Sequence, residues 1–221
     1  RCLMSADVGK KAIDFVIKNS AERKNIEIDY FGGEPLMNFD VVKEITDYAK
    51  KEGEKHGKNF RFTITTNGIL LNDEIKEYIN DEDTIVVLCG DTPLIKEDTL
   101  QRLFSYHLEN GYHATVLTTK VDNPTGYGRI IRDNNEDLLK IVEQKDANEE
   151  EKAVKEINSG IYCFNGKSLR EALDLIDNNN AQGEYYLTDT IYIMRDKGLK
   201  VGAYNGSTIE ELMGVNSRVE L

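Results

Sequence analysis

Residues 84–91, TIVVLCGD, constrain the fold more than any other stretch. Ile85, Val86, Val87 and Leu88 make a short apolar run rich in β-branched side chains. Charge precedes it and Gly90-Asp91 follows it. A run apolar at successive positions predicts a strand buried on both faces of a parallel sheet. Gly90 ends the strand, and Asp91 stands just past its carboxyl end, where open α/β sheets bind their ligands. A carboxylate there suits Mg²⁺, which takes hard oxygen ligands and keeps waters and phosphates in its shell. The same aspartate also suits a helix cap or a turn.

The rest of the chain repeats a strand–helix alternation, which predicts α/β with a mostly parallel sheet. Ser5 can cap a helix reaching about residue 23. IEIDYF at 26–31 reads as a strand, 39–54 as an amphipathic helix, 60–65 as a strand and 72–79 as a short helix. Past residue 84, helices are expected over 98–109, 147–154, 167–178 and 188–197. Strands are expected over 113–119, 138–143, 156–164 and 201–204.

The net charge of −12 argues against non-specific nucleic-acid binding and against anionic membrane surfaces. A phosphate-bearing ligand stays open, because it needs only a local field. The three cysteines, Cys2, Cys89 and Cys163, form no CxxC and point to a reducing, cytoplasmic setting. No run approaches the ~18 apolar residues of a membrane span, and no signal peptide is visible. The chain begins at Arg1, so the true start of the gene product is expected upstream. His56, His107 and His113 have no ligand-like spacing and read as surface or packing residues.

Two glycines in Gly32-Gly33-Glu34-Pro35 would let the backbone approach a ligand, and Glu34 would take a cationic amino group. Most such turns are only turns. The flanks are more specific: YFGGEPLMNFDVVKEI followed by FRFTITTNGILLNDEIKEYI resembles the radical S-adenosylmethionine peptide maturases that build thioether crosslinks. The likeness covers residues 1–80. It implies a partial radical-enzyme barrel in which Gly32, Gly33 and Glu34 contact the methionine amino group of S-adenosylmethionine. That family holds an iron–sulfur cluster on CxxxCxxC, upstream of where this chain begins. The motif is absent here, so neither the cluster nor S-adenosylmethionine is expected to bind.

The second half offers a surface for a phosphorylated sugar. Gly126 and Gly128 leave bare backbone, Glu143 closes the KIVEQKD strand, and Asn158 stands among apolar strand neighbours. A buried Asn must be hydrogen-bonded, to a sugar group or to the protein itself. Tyr185 and Tyr186 suit either ligand contact or packing. VVLCGDTPLI, ATVLTT, DNPTGYGRIIRD, KIVEQKDA, EINSGIYCF, NNNAQGEYYLTD and GVNSR follow in one order, and together they resemble the bacterial N-acetylglucosamine-1-phosphate uridyltransferases. The likeness covers residues 84–221. It implies a Rossmann-like nucleotidyltransferase domain with Mg²⁺ held by Asp91 and Asn216. Cys89 and Gly90 would belong to the ligand-contacting stretch. Gly128, Glu143 and Asn158 would contact N-acetylglucosamine, with Tyr186 and Thr188 near the sugar phosphate.

The expected organisation is thus a chimera: β/α units of a partial radical-enzyme barrel over 1–80, then the sugar-binding part of a nucleotidyltransferase over 84–221. The expected partner is a small-molecule sugar nucleotide. The family's phosphate loop, LAAGxGTRM, is absent from this sequence, so a fragment with little or no activity is expected. The alternatives are a radical maturase fragment or a non-catalytic α/β protein.

Overall fold

The computed structural model describes residues 3–31, 33–66, 70, 72–89, 92 and 94–212. The chain divides into two compact units, residues 1–76 and 77–221. Among the described residues, no helix is long and apolar enough to cross a membrane.

The first unit is a parallel pair of strands with helices packed on it. Its elements are α1 (Ala6–Asn19), β1 (Asn25–Tyr30), α2 (Phe39–His56) and β2 (Asn59–Ile64). A 3₁₀ helix, Pro35–Asn38, leads into α2. β1 and β2 pair in register from Asn25 opposite Asn59 to Tyr30 opposite Ile64. Their alternation sends Ile28, Tyr30, Phe60 and Phe62 toward Ile13, Ile45 and Ala49 of the helices. Glu27, Asp29, Arg61 and Thr63 occupy the exposed face. Gly9 allows α1 to lie close on α2, since a side chain there would collide with Ile45. α3 (Asp73–Tyr78) spans the boundary, and Asn72 caps it by accepting from the Ile75 amide at 3.0 Å.

In the second unit the chain continues through β3 (Thr84–Val87), α4 (Glu97–Glu109), β4 (Ala114–Lys120), β5 (Arg129–Arg132) and β6 (Leu138–Val142). Then follow α5 (Glu149–Lys152), β7 (Glu156–Asn165), α6 (Gly166–Leu173), α7 (Asp189–Asp196), β8 (Val201–Asn205) and α8 (Ile209–Leu212). The strands form one sheet in the order β6-β5-β7-β4-β8, with β3 also paired to β7. One face carries a core of Val116, Ile130, Tyr162, Phe164, Leu169, Ile191 and Met194. The other carries Leu103, Leu117, Ile161, Cys163 and Leu212. β4 is therefore covered on both sides, and its residues from Ala114 to Thr119 are all buried.

The α/β class stands, but the mostly parallel sheet does not. In the second unit β7 runs antiparallel to β3, β4 and β5, β5 runs antiparallel to β6, and among the described residues there only β4 with β8 is a parallel pair. A parallel neighbour needs a crossover of a dozen or more residues, normally a helix. β5 and β6 are joined by a short turn through Asp133 and Asp137, too short for a crossover, so those two strands reverse. The longer link through α5 carries the chain past β5 to β7, which lies on the other side of β5 and antiparallel to it. β3, β4, β5 and β8 still share one direction.

β3 differs from expectation in burial as well. Ile85 and Val87 pack on the core while Val86 is 42% exposed, so the run is buried on one face, not both. Its only pairing among the described residues is with β7, which leaves it an edge strand. β5 was not expected as a separate strand; its RIIR is short and carries charge at both ends.

Candidate functional site

The site is built around an irregularity in β7. Along β4, Val116 pairs with Tyr162 and Thr118 with Asn158, so two steps on β4 match four on β7. The surplus residues form a bulge, a device that re-aims side chains near binding sites. Gly160 takes the left-handed backbone conformation at φ +77°. Any side chain there would also collide with Cys89 Sγ. The Ser159 hydroxyl donates to the Leu117 carbonyl at 2.7 Å and accepts from the Ile161 amide at 3.0 Å, tying the bulge to β4.

Within the bulge, Asn158 Oδ1 accepts from the Gly160 amide at 2.9 Å and the Tyr162 hydroxyl at 3.0 Å. A backbone N–H only donates, so the oxygen is fixed on that side and Nδ2 points the other way. Nδ2 has no acceptor among the described residues. The Asn158 amide donates to the Gly128 carbonyl at 2.9 Å, which docks the end of the 122–128 loop against β7.

Gly128 is buried and faces Glu143 across β5 and β6. A methyl group on it would lie 3.3 Å and 3.4 Å from the Glu143 carboxylate oxygens and 3.4 Å from Asn158 Cβ. Thr188, buried just ahead of α7, donates to Glu143 Oε1 at 3.3 Å. Burial pushes the Glu143 carboxyl above its ordinary range. The Thr188 bond opposes this, and the Asp146 and Asp189 carboxylates add to it. Tyr186 accepts from Gln182 Nε2 at 2.8 Å. Burial raises its phenol, Gln182 opposes, and the charges of Asp146 and Glu143 reinforce the rise.

The structure thus brings Gly128, Glu143, Asn158 and Thr188 together. Cys89 touches the bulge, with Sγ 3.7 Å from the Ser159 carbonyl. Tyr186 stands within the electrostatic reach of Glu143, whereas Tyr185 is 72% exposed. Gly90, Asp91 and Asn216 lie outside the described residues, as do Gly32, Cys2 and the Asn67-Gly68 turn. Among the described residues no three His, Cys, Asp or Glu side chains form a metal-binding group.

In the first unit, Gly33 is exposed at φ +62° with open space where a side chain would be. Glu34 caps the 3₁₀ helix, with Oε1 accepting from the Leu36 amide at 2.9 Å and the Thr66 hydroxyl at 2.8 Å. His107 and His113 pack as expected: their Nδ1 atoms meet the hydroxyls of Thr115 at 2.9 Å and Ser168 at 2.7 Å.

The sequence reading missed Gly160 and Tyr162, the residues that orient Asn158. Glycine inside a strand pattern signals a bulge or a close backbone approach, and EINSGIYCF carries that signal at Gly160.

A mixed sheet covered by helices on both faces, with its polar cluster at a bulge, is an α/β fold of the nucleotidyltransferase type. The chain belongs to the nucleotidyl transferase family over residues 69–209 and to the 4Fe-4S single cluster domain family over residues 3–121. The two matches overlap, so the family boundary is less sharp than the boundary between the units. The chain is 86% identical to the bifunctional protein GlmU of Clostridioides difficile (strain 630) over 146 residues, 66% of this chain and 32% of that protein. It is 56% identical to the protein of the same name from Alkaliphilus metalliredigens (strain QYMF), with the same coverage. The chain therefore spans about a third of the length of these relatives. Among solved structures, a glucose-1-phosphate thymidylyltransferase from Bacillus anthracis in complex with sucrose matches with a TM-score of 0.51 at 21% identity. It covers 90% of this chain and 72% of that one.

Proposed function

We propose that residues 84–221 are the sugar-binding part of a uridylyltransferase that makes UDP-N-acetylglucosamine, and that the chain binds this sugar nucleotide through Gly128, Glu143, Asn158 and Thr188. The observation that carries the reading is Asn158. Its oxygen is fixed by Gly160 and Tyr162, so its Nδ2 is presented for an acceptor beside an acidic acceptor group and bare backbone. Glu143 would accept from sugar hydroxyls, Asn158 Nδ2 would donate to an amide or hydroxyl oxygen, and Gly128 would let the ring lie on the main chain. Cys89 and Gly90 would border the ligand, and Tyr186 would lie toward the sugar phosphate. Asp91 and Asn216 bring a carboxylate and an amide oxygen, the hard donors that Mg²⁺ takes. Bound there, the ion would offset phosphate charge.

The reaction read for the intact family is attack of the sugar phosphate on the α-phosphate of UTP, with pyrophosphate leaving. Such transfer depends on positioning and charge stabilisation. The LAAGxGTRM loop is absent from this sequence, and residues 1–80 carry the other family's pattern. Losing even one preorganised donor costs ~3–4 kcal/mol of transition-state stabilisation. Turnover is therefore expected to be far below that of an intact enzyme.

Calorimetric titration with UDP-N-acetylglucosamine, with and without Mg²⁺, tests the reading. The unaltered chain should bind weakly. Asn158→Ala should lose about 1–3 kcal/mol, and Asp91→Ala should remove the Mg²⁺ dependence while keeping part of the sugar affinity. Binding unchanged by both substitutions would refute the site.

The 4Fe-4S match over 3–121 favours a second reading, a radical S-adenosylmethionine maturase fragment using Gly32, Gly33 and Glu34. Stoichiometric iron and S-adenosylmethionine binding after reconstitution would support it. The Glu34 oxygen already engaged by Leu36 and Thr66 weighs against it.

A further inference from the structure

Arg129 is the first residue of β5 and only 1% exposed. Its Nη2 donates to Gln144 Oε1 at 2.7 Å and its Nη1 to the Tyr127 carbonyl. Its Nε is the one buried side-chain polar atom without a partner among the described residues, and no carboxylate there pairs with it. Burial pulls its guanidinium below the usual range, yet arginine stays charged in proteins.

A buried cation without a counter-ion is an expensive way to fill a core, and apolar residues of similar size often serve stability better. Its partners show what the cation holds instead. Gln144 Oε1 also accepts from the Gly126 amide at 3.0 Å, so one oxygen ties Arg129 to the loop. Tyr127, whose carbonyl takes the other donor, immediately precedes Gly128. Gln144 immediately follows Glu143. Side chains alternate along an antiparallel pair, and Arg129 sits opposite Val142. Arg129 thus lies on the face away from Gly128 and Glu143, behind the two residues that form the floor of the site.

We propose that Arg129 is a positioning residue for the sugar site: through Gln144 and the Tyr127 carbonyl it locks the 123–128 loop, so that Gly128 and Glu143 stay poised against Asn158. This rests on the sugar-nucleotide reading above. It adds that affinity is set partly by a charge that never touches the ligand.

Two readouts separate this inference from its premise. The first is affinity for UDP-N-acetylglucosamine, with UDP as the comparison ligand. Arg129→Met and Gln144→Leu should each weaken sugar-nucleotide binding about tenfold or more while changing UDP binding less. Arg129→Lys should recover part of the loss. Gln144→Glu, which keeps an acceptor for both bonds, should recover most of what Gln144→Leu loses. The Arg129→Met thermal midpoint should hold or rise, because the unpaired charge is gone. The second readout is amide hydrogen exchange at Gly126, which should speed up in Arg129→Met and Gln144→Leu with no ligand present. Gln144 is only half-buried, so its variant decides the matter if Arg129→Met does not fold. Faster exchange with no binding by the unaltered chain would sink the sugar-nucleotide reading and leave the clamp. Unchanged exchange, or unchanged affinity in a folded variant, would overturn the clamp.

Discussion

Gly33 with Glu34, and Gly128 with Glu143, are both pairings of glycine and glutamate at the edge of a sheet, and the chain uses them in opposite ways. In the first unit the glycine is solvent-exposed and the carboxylate points back to cap the next turn. In the second unit the glycine is buried between the carboxylate and the Asn158 side chain, and the carboxylate is half-buried and accepts from a threonine hydroxyl. The first arrangement satisfies backbone donors, as any helix start requires. The second keeps a carboxylate in surroundings that penalise its charge, with donor and acceptor groups converging on it. Only the second has the arrangement expected where a polar ligand completes the hydrogen bonding.

The comparison breaks most readily at two glycines with positive φ. Gly160→Ala should cost roughly 2–3 kcal/mol, from left-handed strain and the collision with Cys89. It should also abolish sugar-nucleotide binding, because Asn158 loses its orientation. Gly33→Ala meets no neighbour and should cost about 1 kcal/mol of strain in the first unit, leaving that binding untouched. Denaturant melts with parallel titrations check both. Equal effects of the two substitutions on binding would erase the distinction.

Smaller effects sharpen the same contrast at the carboxylates. Glu34→Ala should remove a cap worth about 1 kcal/mol to the first unit without touching affinity. Glu143→Gln should do the reverse, weakening binding and raising stability at neutral pH. The sign follows from the Glu143 carboxyl titrating above its ordinary 4.5 in the folded chain. The fold favours the neutral form, so the contribution is whole below the ordinary value and is lost as pH rises through the folded one. The melting midpoint of Glu143→Gln should therefore exceed that of the unaltered chain at pH 7. The gap should close as pH falls toward 4.5. A midpoint difference that does not change with pH would mean that Glu143 is not desolvated.

Most elements were legible in the sequence because their apolar periods are strong: α2, α4, β2, β4 and β7 fall within a few residues of expectation. Strand direction was not legible. It depends on connection length, and the five residues from Asp133 to Asp137 were not recognised as a hairpin turn between β5 and β6. The burial of β3 was misjudged for a related reason. Four apolar residues in a row look the same whether a strand lies in the middle of a sheet or at its edge. Gly128, Glu143, Asn158 and Thr188 come from four separate stretches and were grouped by family likeness, not by spacing. The Arg129–Gln144 contact behind them had no sequence signal, since neither residue type predicts burial.

The most direct test of the central claim is a map of backbone amide shifts during titration of the full chain with UDP-N-acetylglucosamine. The account predicts shifts concentrated at Gly128, Glu143, Asn158, Gly160 and Thr188, with Gly33 and Glu34 unmoved. Shifts centred on the first unit, or absent from the β7 bulge while the ligand binds, would contradict it.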